Sequence, residues 1–220
     1  MLGTNARIAG IANITTGNGA TAITHDNTLT VDVSAITDGS MMTIAGPGNT
    51  IITGLNGRNT IDLGTAHTAA DTINLHAIAT AGLDRVINFA LATDVLGLGL
   101  LQAAGAHLGT TAQVGQVTSL GTGLPNTVNV FILNGTAVNA ANSNALTALT
   151  FTGLGGASAG SGGTAGTALV IYGATQDADA RVALAGINTA GSITSAFDLA
   201  VLVGVNVQAA FTNADFSGWF

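Results

Sequence analysis

The chain has 220 residues, a net charge of −7 and no Lys, Glu or Cys; its eleven acids are all Asp and its four basic side chains all Arg. Charged residues make up 7%, against about 25% in an ordinary globular domain. Arg7, Arg58, Arg85 and Arg181 are scattered, which excludes a nucleic-acid interface built on clustered cations. The missing Cys excludes disulfides and thiolate metal sites, and the missing Lys and Glu exclude the phosphate-loop lysine and the His–Glu zinc-protease helix.

What remains is a surface of hydroxyls, amides and backbone, suited to an extracellular repeat, fibre or surface-layer protein. With a mean hydropathy of +0.53 and so few charges to repel a neighbour, self-association is expected. No run of about 18 apolar residues is present, so no membrane span is expected; the most apolar segment, 197–207, contains Asp198. Residues 1–7 have no basic region followed by an apolar core, so a Sec signal is not expected and extracellular export would leave the N-terminus uncleaved. Acidity carried only by Asp fits calcium, which takes hard oxygen ligands.

In chain order, short runs of alternating apolar and small polar residues predict strands at 8–14, 22–24, 29–33, 42–44, 51–53, 61–63, 73–75 and 86–89. They recur about every 9 to 13 residues, too closely for helical crossovers. Parallel strands at that spacing imply a solenoid; antiparallel ones imply a meander or sandwich.

The spacing is sharpest between 45 and 75. Nine residues separate Gly48 from Gly57 and Ile52 from Ile61, and Asp71-Thr72-Ile73-Asn74-Leu75 repeats the polar-Thr-Ile-polar pattern after a longer loop. These residues resemble the RTX (haemolysin-type) nonapeptide, Gly-Gly-x-Gly-x-Asp-x-apolar-x, in which glycine-rich turns on successive half-coils sandwich calcium. The copy is degenerate: Thr50 and Asn59 stand at the Asp position, Ala45 replaces a Gly, and Asp71 alone falls at a ligand place. The resemblance implies a β-roll and possible calcium, with Asp62, Asp71 and Asp84 as ligands. The other reading of these Asp and Asn residues is turn formation through bonds to their own backbone.

Leu83-Asp84-Arg85-Val86-Ile87-Asn88-Phe89 and Thr93-Asp94-Val95-Leu96-Gly97-Leu98 resemble the element that follows such repeats in proteins exported by type I secretion. A strand, a turn at Asp94 and a returning strand are expected there. Beyond it, 100–107 predicts a short helix and 127–133 a strand, followed by an Asn134-Gly135 turn. The Ala-rich stretch 139–149 predicts a helix, 153–166 a Gly/Ser-rich loop, 168–172 a strand, and 195–203 a short helix with Ser195 near its N-cap. Residues 172–220 resemble an uncleaved type I export tail and imply the type I export machinery as a partner. Trp219 and Phe220 close it, as part of the signal or as a plug into a neighbouring copy, and are the assembly candidates.

Catalytic constellations are absent from the pattern. His25, His67, His76 and His107 show no zinc-protease spacing, and His25, Asp26 and Ser34 read as turn-adjacent polar residues rather than a triad. Gly160-Ser161-Gly162 lies in low complexity without a strand-turn-helix context. Asp177 and Asp179 read as loop residues that touch Arg181 rather than a glycosidase pair. The chain is therefore expected to be mainly β and not an enzyme: a degenerate parallel β-roll or solenoid over 1–98, then a β-rich region with a few short helices over 99–220. Its expected function is extracellular and structural, a homopolymer forming a fibre, sheath or surface layer. The alternative is a calcium-binding secretion or adhesion module of a type I-exported adhesin or hydrolase.

Overall fold

The computed structural model describes residues 6–8, 13–17, 19, 21–36, 40–45, 47–55, 59–65, 67–76, 83–103, 112–121, 128–151, 166–188 and 190–218. Residues 104–107 of the helix expected over 100–107, residues 153–165 of the Gly/Ser-rich loop, Trp219 and Phe220 fall outside them. The chain is mainly β, with parallel sheets. Its first strands are β1 (Ala6–Ile8), β2 (Asn13–Gly17), β3 (Thr21–His25), β4 (Leu29–Ala35) and β5 (Met41–Ala45). β6 (Thr50–Thr53), β7 (Thr60–Asp62), β8 (Thr72–Asn74), β9 (Asp84–Ile87) and β10 (Val95–Gly97) follow. Odd-numbered strands join one sheet and even-numbered strands another, each paired in parallel with the strand two places along.

The alternation read from the sequence is the reason. In β4, Leu29, Val31 and Val33 are buried while Thr30 and Asp32 are half-exposed, so one face of each short strand turns inward. Register then stacks like on like. Val31 pairs with Ile52, Ile52 with Ile73 and Ile73 with Leu96 in one sheet; Met42 pairs with Ile61 and Ile61 with Val86 in the other. Both columns belong to the main core. The nine-residue spacing seen in the sequence is the step from β6 in one sheet to β7 in the other. The single run expected over 8–14 is divided between β1 and β2.

After α1 (Gly99–Ala103), β11 (Val114–Val117) and β12 (Val130–Leu133) extend the first sheet, followed by α2 (Ser143–Thr147). Asn142 caps α2 by accepting the Ala145 N–H at 2.9 Å. β13 (Gly166–Tyr172), β14 (Asp179–Ile187), β15 (Ile193–Asn206) and β16 (Phe216–Ser217) complete the chain. The ten-stranded sheet runs β1-β3-β5-β7-β9-β15-β14-β13-β12-β11, and the six-stranded one β16-β10-β8-β6-β4-β2. β15 pairs with β9 and β16 with β10, so both sheets cross residue 98 and the main core contains residues from either side. No helix among the described residues is long and apolar enough to cross a membrane.

The helix expected over 195–203 is instead part of β15. Its run Leu199-Ala200-Val201-Leu202 is wholly buried, held between β9 and β14. An apolar run covered on both faces has no period that separates strand from helix, and pairing in the sheet decides it. β12 is covered likewise: Val130 and Ile132 face the main core, while Phe131 and Leu133 face a second one with Val138, Leu146 and Phe151.

At the end of the smaller sheet, Thr212 and Asp215 cap a single 3-10 turn. Asp215 Oδ1 also accepts the Ala92 N–H at 2.7 Å, which seats Phe216 beside Leu96.

Candidate functional site

Each coil must turn between sheets, and the turns leave backbone N–H groups without ladder partners. Polar side chains of the following coil take them. At one corner Ser40 Oγ accepts the Gly19 N–H at 2.8 Å, and Asp84 Oδ1 accepts the Asn59 N–H at 2.9 Å across 25 residues. At the other corner Asp71 Oδ1 accepts the Thr50 N–H at 2.6 Å across 21 residues, and Asp94 Oδ1 accepts the Asp71 N–H at 3.1 Å across 23. The Asp side chains at the strand starts thus tie one coil to the next.

The three expected calcium ligands occupy separate places. Asp62 ends β7, accepting the Gly64 N–H at 2.9 Å and Asn88 Nδ2 at 2.6 Å. Asp84 opens β9 and caps Asn59. Asp71 precedes β8 in the other sheet. It is joined by two residues that were not singled out as ligands: His67, Asp71 and Asp94 are the one group of three potential metal ligands among the described residues, their donor atoms all within 4.8 Å of one another.

Gly64, at φ +85°, opens the turn that presents His67. The carbonyl of Gly64 lies 3.1 Å from His67 Nδ1; a carbonyl only accepts, so Nδ1 carries a proton. His67 Nε2 is then aimed at Asp94, 2.9 Å from Oδ2 and 3.1 Å from Oδ1, with Asp71 Oδ2 at 3.7 Å. Asp94 Oδ2 additionally accepts the Ala90 N–H at 2.7 Å. The Asp94 side chain is fully buried and that of Asp71 nearly so, whereas His67 borders a concavity of about 320 Å³ beside Pro47 and Leu63.

Burial opposes charge on His67, but Asp94, the Gly64 carbonyl and the nearby carboxylate charges outweigh it and raise its pKa. Asp71 is raised as well, by burial first and by the charge of Asp94, against the Thr50 N–H. Both groups hold their protons more tightly folded than unfolded. Their contribution to stability is therefore full below the ordinary carboxylate range for Asp71, and below the ordinary histidine value for His67. It is lost as pH rises through each raised folded value. In chelator, the melting temperature is expected to fall between pH 6 and 9 by more in the native chain than in His67→Gln. Equal slopes would contradict this reading.

His67 and Asp71 are four residues apart, but Asp94 is brought to them only by coil stacking. The sequence signal was the polar residue at or just before each strand start, Thr50, Asp71 and Asp94, in one register column. His25 lies at the same corner, with Nε2 2.9 Å from Thr50 Oγ1 and Nδ1 2.6 Å from the Asn27 carbonyl, and has no triad partner among these contacts. Register also places Arg85 and Arg181 either side of Val201, where they border a second concavity of about 300 Å³ with Asp179. Asp179 itself accepts the Gly204 N–H at 2.8 Å, and Arg181 Nη1 lies 3.8 Å from Asp198.

The chain is thus a β-rich protein of two largely parallel sheets with a His–Asp–Asp cluster at one corner. No family model, curated protein or solved structure matches it.

Proposed function

We propose that this chain is an extracellular structural protein that self-assembles into a fibre, sheath or surface layer, its first 98 residues forming a degenerate β-roll. The observation that carries the reading is the direction of the end strands. From β1 through β9 to β15 the large sheet is parallel; the pairs β15–β14 and β14–β13 are antiparallel; β12 and β11 are parallel again. The two reversals cancel, so β1 and β11 point the same way. Among the described residues no strand covers the outer edge of either.

Docking β1 of one copy beside β11 of the next would continue the sheet in parallel. That contact is heterologous and, where the rotation does not close, repeats into a filament. Edge strands are commonly protected by Lys, Pro or inward charge; β11, Val114-Gly115-Gln116-Val117, carries none. Sparse charge opposes stacking little. Type I export, implied by the tail resemblance, is the proposed route out of the cell.

The edge can be blocked at Gln116, at the loss of one exposed hydrogen bond, from Asn134 Nδ2 to Gln116 Oε1 at 2.7 Å. The N–H groups of Val130 and Asn134 donate to the carbonyls of Gln113 and Val117, so parallel pairing turns the intervening Gln116 N–H outward. Gln116→Pro removes that donor. Sedimentation is expected to show polymers of the native chain and a folded, dispersed variant with a similar melting temperature. Polymerisation of the variant at the native rate would contradict edge addition through β11.

A further inference from the structure

We propose that His67, Asp71 and Asp94 bind one divalent transition-metal ion of the zinc class, which clips two successive coils together. The argument begins with what must lie between these groups. Nδ1 of His67 is committed to the Gly64 carbonyl, so an unprotonated Nε2 would point its lone pair at the Asp94 carboxylate 2.9 Å away. A positive species has to sit there. With both carboxylates ionised, a proton leaves the buried cluster one charge negative, whereas a divalent ion brings a neutral imidazole and two carboxylates to zero, the cheaper state away from water.

The donor set and its support fit such an ion. Bonds of about 2.0–2.1 Å in a tetrahedral zinc site place ligand atoms about 3.3 Å apart. The two separations from His67 Nε2, 2.9 Å to Asp94 Oδ2 and 3.7 Å to Asp71 Oδ2, lie on either side of that, and the two carboxylates offer oxygens within 4.8 Å of each other. Each ligand is oriented from behind, as metal ligands are: His67 by Gly64, Asp71 by the Thr50 N–H, and Asp94 by the N–H groups of Ala90 and Asp71. The concavity that His67 borders brings solvent to the imidazole side of the cluster. An imidazole donor favours zinc and its neighbours over calcium and magnesium, which take oxygen.

The test uses the full chain, stripped with chelator and titrated with zinc chloride by calorimetry, beside His67→Gln and Asp71→Asn. The Asn retains a carbonyl to cap Thr50. One zinc per native chain is expected, with a melting temperature raised by several degrees, an affinity at least about tenfold lower in each variant, and no displacement by equimolar calcium. A measurement on the native chain alone stands beside these. Cobalt is expected to give visible d–d bands that zinc abolishes. Equal zinc uptake in the native chain and both variants, no uptake by the folded native chain at micromolar zinc, or cobalt without such bands would each overturn the site, leaving a buried imidazolium–carboxylate pair only.

Discussion

Asp94→Ala is expected to cost about 3–5 kcal/mol of folding stability, the range for breaking a buried charged pair. Its carboxylate is wholly buried and serves three partners: the N–H of Asp71, the N–H of Ala90 and His67 Nε2. Truncation strands two backbone donors and leaves His67 facing a void, so the desolvation cost of each partner is felt in full. Asp94→Asn keeps one acceptor and is expected to lose less. Urea unfolding checks both, and a loss under about 1 kcal/mol for the Ala variant would show that Asp94 does not hold the corner.

Gly135→Ala is expected to destabilise by about 3 kcal/mol or more, at the upper end for forced overpacking. A Cβ at this position would lie 1.8 Å from the Thr118 carbonyl oxygen and 2.4 Å from its carbon. Both are backbone atoms, and no rotamer change relieves the clash. The strain is steric rather than conformational, because Gly135 sits at φ −100°, where any residue is at ease. Thermal unfolding of Gly135→Ala decides it. A melting temperature equal to that of the native chain would mean that β11 and its following turn shift freely.

Gly135 also shows where the sequence was legible and where it was not. Asn134-Gly135 reads as a turn, and the chain does bend there, into a 3-10 turn and a parallel crossover. The signal marked the place and not the cause. Period-2 alternation found β3 to β9 because each has one buried face, and β10 was expected from the resemblance. It failed at β15, where Leu199 to Leu202 are covered on both sides, and at β14, whose Ala-rich run has little apolar contrast.

The candidate site was half legible for a related reason. Asp71 stood out through its repeat position, and Asp84 and Asp62 through their turns. Asp94 joins His67 and Asp71 only through stacking across 23 residues and more, a spacing that no short motif records. Coil length is 21 residues from Thr50 to Asp71 and 23 from Asp71 to Asp94, so the column has no fixed sequence period.

The most direct measurement is electron microscopy of the purified full chain, with calcium and with chelator. The account predicts ordered filaments or sheets in at least one condition, with electron diffraction near 4.7–4.8 Å along the direction in which the sheet is extended. Dispersed particles in both conditions, at concentrations where the chain is folded, would contradict assembly through its sheet edges.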